Sequence, residues 1–196
     1  MKRAGKRIRR ALPALLLALV LTVGISAAVC RVSLKTTEYT AAVRGLTAPL
    51  RTVVLSDLHS LEYGKDNAAL LARVAQQQPD AIFCVGDFID SDAAPEQLQR
   101  LYQLLRRLGE IAPVFFSPGN HEIAYMESHG SELLDAVAAT GATVLYDRWV
   151  QTTLGGAAVR IGGSCGHFRD INRSAKLDYA MEETIGAAGV AGTVLL

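Results

Sequence analysis

Short apolar runs alternate with helix-spaced apolar residues through the middle of the chain. Three continuous runs have the length and the β-branched or aromatic content of buried strands, at residues 52–55, 81–85 and 113–117. Two segments between them carry apolar residues at helical spacing, at residues 67–77 and 95–108, and Gly109 ends the second. Continuous apolar strands joined by helices are typical of a parallel sheet with right-handed crossovers. The pattern therefore predicts an α/β fold.

Beyond residue 130 the pattern becomes more antiparallel in character. It predicts a helix over 131–139 and a strand over 143–146. A hairpin of strands 150–154 and 157–161 follows, with its turn at Gly155–Gly156, and then a helix over 174–188 and a last strand over 192–196. Upstream of the first strand, residues 31–50 form a lead-in. Weak alternation between Val32 and Val43 predicts an edge strand there.

Each of the three strands predicted first ends in polar residues. The first is followed by Asp57 and His59, the second by Asp87, and the third by Asn120 and His121. Because the carboxyl ends of parallel strands share one edge of the sheet, where α/β proteins hold ligands, we expect these five side chains to converge. Carboxylate and imidazole groups are ligands of first-row metals. Taken alone, Asp57 and His59 could equally be turn residues after a strand or a pair of metal ligands. Polar residues at the ends of two further strands favour the metal site.

Composition restricts the classes of partner. Half of the 196 residues are hydrophobic, which is enough for one domain with a core. The formal net charge of +1 gives no overall attraction to nucleic acid, so no nucleic-acid partner is expected. The three cysteines, Cys30, Cys84 and Cys165, lie far apart and form no Cys-x-x-Cys pair, which argues against a disulfide framework and a structural zinc site. Cys84 lies in an apolar run and is predicted to be buried.

The first thirty residues have the pattern of a membrane segment. Residues 1–10 are rich in Lys and Arg, and residues 11–30 contain no charged residue. About twenty apolar residues suffice to cross a bilayer as a helix, and a basic flank of this kind lies in the cytoplasm. We therefore expect a single-pass transmembrane anchor over 11–30, with the domain that follows outside the cytoplasm. The alternative is a signal peptide that is cleaved near the small residues 26–28, which would release a secreted domain.

The residues at the three strand ends are Asp57-x-His59, Gly86-Asp87 and Gly119-Asn120-His121-Glu122. In residue type and order they resemble the signatures of the calcineurin-like metallophosphoesterase family. The resemblance covers residues 51–122 and looks closest to a membrane-associated bacterial subgroup. It implies an α/β/β/α sandwich over residues 51–196. It also implies that the chain hydrolyses phosphomonoesters or phosphodiesters with two divalent metal ions, which Mn, Fe or Zn could supply.

The resemblance also implies a role for each residue at the strand ends. Asp57 and His59 would bind the first metal, Asp87 would bridge both metals, and Asn120 would bind the second through its carbonyl oxygen. His121 would not be a ligand; it would protonate the leaving oxygen or stabilise the transition state. A membrane anchor would make a lipid-linked or cell-envelope phosphoester an attractive substrate. The oligomeric state stays open.

Other polar residues near these signatures receive less specific interpretations. Glu122 is expected to orient His121, and Asp90 and Asp92 are expected to be solvated loop residues or helix caps. His129 is expected in a loop at the start of a helix. His167 follows a glycine as in the family's Gly-His-x-His ligand pair, but the second histidine of that pair is an arginine here, so we expect no ligand at His167.

The family pattern includes further histidines that this sequence lacks. One should follow a later strand, and two should form Gly-His-x-His near the C-terminus. We therefore expect a sandwich that is truncated, and so incomplete, at the C-terminus, with impaired two-metal chemistry. The alternative function is a catalytically impaired metal-binding or interaction module at the membrane. A haloacid-dehalogenase-like phosphatase is disfavoured, because it would require an aspartate at the position of His59.

Overall fold

The computed structural model describes residues 13, 15–24, 26, 33–43, 46 and 48–164, and the backbone of 192–195. The chain divides into two units, residues 1–39 and 40–196. In the first unit, residues 15–24 are helical and exposed. Among the residues described, no helix has both the length and the apolar character needed to span a membrane. The predicted anchor over 11–30 lies partly outside these residues.

The edge strand predicted in the lead-in is wrong for the described residues 33–43, which have no regular secondary structure and are almost all exposed. Weak alternation predicts a strand only where one face is buried, and the side chains described here are almost all exposed.

The second unit contains a four-stranded parallel sheet, which confirms the predicted α/β fold. Its strands are β1 (Thr52–Leu55), β2 (Ala81–Val85), β3 (Val114–Ser117) and β4 (Thr143–Val144), in the order β1-β2-β3-β4. Helices α1 (Ala68–Gln76) and α2 (Pro95–Gly109) connect the first three strands, and the 3₁₀ turn Lys65–Asn67 precedes α1. The bounds of β1, β2, β3, α1 and α2 agree with the predicted ones to within one residue at each end, whereas β4 ends two residues before the predicted strand over 143–146.

The apolar runs form strands because both faces of the sheet are covered. Ile82 and Cys84 on one face of β2 are fully buried, and Ala81 and Phe83 on the other face are buried as well. A strand that is buried on both faces can only be a continuous apolar run, as the sequence pattern indicated.

A second sheet of three strands packs against the first. Strands β5 (Arg148–Leu154) and β6 (Ala157–Gly163) form an antiparallel hairpin, and β7 (Gly192–Leu195) pairs in parallel with β6. The turn residues Gly155 and Gly156 have φ values of +53° and +82°. Positive φ values at both central residues are typical of the two-residue type I′ hairpin turn. A buried cluster joins the sheets, made of Ala81, Phe83, Phe115, Leu145, Leu154, Val159 and Ile161. The predicted helix over 174–188 lies outside the described residues.

Two helices follow β3, and the sequence pattern predicted only the second. Helix α3 (Asn120–His129) begins directly after the third signature, and α4 (Glu132–Ala138) is the predicted helix. The expectation for His129 was wrong, because it is the last residue of α3 rather than a loop residue. Glu122 is the buried residue of α3, so the helix has no apolar stripe by which periodicity could find it.

Candidate metal centre

The loops after β1 and β2 lie side by side at the carboxyl edge of the sheet. Three backbone hydrogen bonds join them, from the amides of Asp57, His59 and Ser60 to the carbonyls of Gly86, Asp87 and Phe88, at 3.2, 3.0 and 2.8 Å. These bonds extend the pairing of the two strands beyond their ends. The side chains of Asp57 and His59 are therefore held next to that of Asp87.

One ligand atom from each of Asp57, His59 and Asp87 lies within 4.8 Å of the others. His59 Nε2 is 3.9 Å from Asp57 Oδ1. Asp57 is exposed, whereas His59 and Asp87 are half-buried. Two carboxylates and one imidazole at these separations form a donor set that fits a divalent first-row metal ion. The structure thus brings together three of the ligands that the sequence predicted.

All three of these residues adopt left-handed backbone conformations, with φ values of +57° at Asp57, +45° at His59 and +57° at Asp87. Few residues other than glycine adopt this region, although Asp and His do so more often than most. Such conformations are concentrated at functional sites, where the surrounding structure holds them in place. Here the hydrogen bonds between the two loops do so.

Asp90 was expected to be a solvated loop residue, and the structure corrects this. Its Oδ1 lies 3.0 Å from Nδ1 of His59, and the two side chains are 38% and 37% exposed. Asp90 follows Asp87 in the loop that is joined to the His59 loop, so it reaches the far side of the imidazole. A carboxylate at Nδ1 favours the tautomer that carries its proton there and leaves the Nε2 lone pair free. Asp92, in contrast, is exposed.

Glu122 was expected to orient His121, but its carboxylate binds backbone amides instead. It is fully buried and accepts hydrogen bonds from the N–H groups of Asp87, Phe88, Ile89 and Gly119, at 2.8, 2.7, 3.2 and 2.8 Å. As the third residue of α3, its side chain reaches back past the helix start to the loop after β2. A buried carboxylate is tolerated when donors surround it, as here. Glu122 therefore fastens the β2 loop to the β3 loop.

Glycines at the second and third signatures let these loops touch through their backbones. A Cβ atom on Gly86 would lie 2.7 Å from the Gly119 nitrogen, and a Cβ atom on Gly119 would lie 2.7 Å from the Asp87 nitrogen. Gly86 also has a φ of +65°. A side chain at either position would push the two loops apart.

His121 lies at the edge of the same group. Its backbone N–H donates to Asp87 Oδ1 at 3.0 Å, and its ring meets that of His59 edge-on, with centroids 4.8 Å apart. Its Nδ1 is buried without a hydrogen-bond partner among the described residues. One ring nitrogen also lies within 4.8 Å of ligand atoms of His59 and Asp90. Within the described part of the chain, no group therefore occupies the Nδ1 atom of His121.

Asn120 is the fourth ligand that the sequence predicted. Asn120 is the first residue of α3, and its side chain is exposed and makes no hydrogen bond within the described part of the chain. It is close to the group in sequence, next to His121. His167 lies outside the described residues.

Residues 50–181 match the sequence model of the calcineurin-like phosphoesterases. The chain belongs to this family. Membership implies metal-dependent hydrolysis of a phosphoester, and the donor set around Asp87 fits that chemistry. The match begins just before β1 and extends well past the last of the three signatures, Gly119–Glu122.

Two further comparisons add little. A search of curated proteins finds no match. A solved structure of a protein of unknown function from Aquifex aeolicus is 12% identical to the chain, covers 70% of it and 75% of its own length, and has a TM-score of 0.32.

Proposed function

We propose that this member of the family hydrolyses phosphomonoesters or phosphodiesters with two divalent metal ions at the Asp57–His59–Asp87 group. The observation that carries the proposal is the convergence of these three ligand atoms within 4.8 Å at the carboxyl ends of β1 and β2. When bound, such ions polarise a phosphoryl oxygen and bring the pKa of a water molecule toward neutrality.

The residues of the chain divide the remaining tasks. Asp57 and His59 would hold one ion, Asp87 would contact both, and Asn120 would hold the other through its carbonyl oxygen. His121 would donate a proton to the leaving oxygen. The position of its ring against His59 and the unpartnered Nδ1 support that role.

Replacing His121 tests its role as the acid. A positioned general acid contributes about 100-fold or more to the rate, so His121→Ala should lower turnover of an alkyl phosphodiester by about that factor. The loss should be smaller for bis-p-nitrophenyl phosphate, because p-nitrophenolate leaves without protonation. Affinity for Mn²⁺ should stay close to that of the unmodified chain. Equal losses on both substrates would contradict the role.

The proposed setting is the outer face of a membrane, with a lipid-linked or cell-envelope phosphoester as substrate. The basic residues 1–10 followed by the uncharged residues 11–30 support a single-pass anchor with a cytoplasmic N-terminus. Cell fractionation, with gel mobility compared to a chain that starts at residue 31, tests this. Recovery of a shortened, secreted chain would favour a cleaved signal peptide instead.

A catalytically impaired metal-binding module is the second candidate. The sequence has four histidines, and none lies in a Gly-His-x-His pair such as the family pattern contains. If the second metal is bound weakly for this reason, Mn²⁺ should bind at a ratio near one ion per chain, without turnover of bis-p-nitrophenyl phosphate. Binding of two ions with turnover would exclude this candidate.

A further inference from the structure

Two of the three convergent ligand residues have a hydrogen-bond partner on one of their two possible ligand atoms. The Nδ1 atom of His59 is 3.0 Å from Asp90 Oδ1, which leaves Nε2 toward the group. Oδ1 of Asp87 accepts the backbone N–H of His121 at 3.0 Å, which leaves Oδ2. Partners of this kind orient metal ligands and contribute to metal affinity.

Asp57 has such a partner as well, in the residue just before it. The hydroxyl of Ser56 donates a hydrogen bond to Asp57 Oδ2. The other oxygen, Oδ1, is the one that lies 3.9 Å from His59 Nε2. Within the part of the chain that the structure describes, Ser56 is the hydrogen-bond partner of this carboxylate. The three ligands thus share one arrangement, although a different residue type provides the partner each time.

Asp57 is the more exposed of this pair of ligands, since its side chain is 68% exposed whereas that of His59 is 37% exposed. An exposed carboxylate without a partner samples several rotamers, and metal binding must then select one of them. A hydrogen bond from Ser56 reduces that freedom before a ligand arrives. It also determines which of the two oxygens stays available next to His59.

We infer that Ser56 is a positioning residue for metal binding, which holds Asp57 Oδ2 so that Oδ1 is presented beside His59 Nε2. This inference rests on the proposed function, because it requires that Asp57 and His59 bind a metal ion. It assigns a function to a serine outside the Asp-x-His signature. The competing explanation is that Ser56 is only a small polar residue at a strand end.

Metal affinity separates these explanations, measured by titration of the purified full chain with Mn²⁺ and calorimetric or electron paramagnetic resonance detection. Ser56→Ala should weaken binding about tenfold, at the lower end of the range for such partners, because water can reach this exposed position. Ser56→Thr keeps the hydroxyl and should restore affinity to within about twofold. Ser128→Ala is the matched control: Ser128 is also exposed, but its hydroxyl bonds to the Ala124 carbonyl on α3.

Each outcome decides for or against the inference. Weakened binding in Ser56→Ala with recovery in Ser56→Thr supports it, provided that the thermal unfolding midpoint is unchanged. Unchanged affinity in Ser56→Ala overturns it, and so does an equal loss in Ser56→Thr or in Ser128→Ala. Absence of Mn²⁺ binding to the unmodified chain overturns both the inference and the proposed function. Weakened binding in Ser56→Ala without any turnover by the unmodified chain supports the inference and contradicts only the proposed hydrolysis.

Discussion

At the scale of single residues, the site depends on how each side chain is held rather than on which side chains are present. The sequence identified Asp57, His59 and Asp87 from residue type and position. It could not show that Asp90 contacts His59, because aspartates in loops are usually solvated and nothing in the spacing distinguishes this one. Only the pairing of the two loops brings Asp90 and His59 within hydrogen-bond distance.

The contact between Asp90 and His59 predicts the tautomer of the imidazole. His59 should carry its neutral-state proton on Nδ1, and Asp90→Ala should shift the population toward the Nε2 tautomer. Mn²⁺ affinity should fall about tenfold or more, as for other partners of metal ligands. Long-range ¹H–¹⁵N correlation spectra of the metal-free chain report the tautomer directly. Asp92→Ala is the control, and the same tautomer in Asp90→Ala and the unmodified chain would refute the prediction.

Cys84 yields a second prediction at this scale. It is fully buried in β2, and burial raises the pKa of its thiol well above the usual value. A raised pKa leaves less thiolate at any given pH, and the thiolate is the reactive form. Cys84 should therefore resist iodoacetamide at pH 8 in the native chain and react rapidly in guanidinium chloride. Mass spectrometry of the peptide that contains Cys84 measures this, and rapid labelling of the native chain would show that β2 is accessible.

At the scale of elements, the sequence predicted the strands and helices whose apolar pattern reflects burial. Strand β2 and helix α2 were predicted almost to the residue, because a continuous apolar run and a leucine-spaced segment each have one simple structural explanation. Helix α3 was missed because its buried side chain is a carboxylate, Glu122. The signal that could have found it is the glycine three residues before that glutamate, a spacing typical of a helix start.

Glu122 should be the residue of α3 that contributes most to stability. Its four backbone hydrogen bonds join the loops after β2 and β3, and Glu122→Gln replaces one accepting oxygen by an amide donor that faces N–H groups. We expect a loss of about 2–3 kcal/mol in the free energy of unfolding, as for other hydrogen bonds to buried charged groups. Mn²⁺ affinity should fall as well, because Asp87 lies in one of the joined loops.

Urea unfolding of Glu122→Gln beside Glu127→Gln tests this prediction. Glu127 lies on the same helix but is exposed, so its replacement should change stability by no more than about 0.5 kcal/mol. If the two variants lose the same small amount, Glu122 does not fasten the loops.

At the scale of the whole molecule, the two-sheet arrangement follows from one buried cluster. The hairpin of β5 and β6 was predicted from its paired glycines, but its position over the first sheet was not. That position depends on Phe83 and Phe115 packing against Leu154 and Ile161, which are far apart in sequence. Periodicity reports which face of a strand is buried, whereas it carries no information about the partner of that face. The expectation of a sandwich with two sheets came from the family resemblance and not from periodicity.

Hydrolysis by this chain should depend on metal ions held by the residues at the strand ends. The most direct test is turnover of bis-p-nitrophenyl phosphate by the purified full chain as Mn²⁺ is added, with Asp87→Asn beside Asp92→Asn. We predict that turnover rises with Mn²⁺ and disappears when a chelator is added. Turnover should fall about 100-fold or more in Asp87→Asn, because the ligand proposed to contact both ions loses its charge. It should be unchanged in Asp92→Asn. Metal-dependent hydrolysis at this site would be contradicted if turnover did not depend on Mn²⁺, if Asp87→Asn kept the turnover of the unmodified chain, or if the unmodified chain showed no turnover.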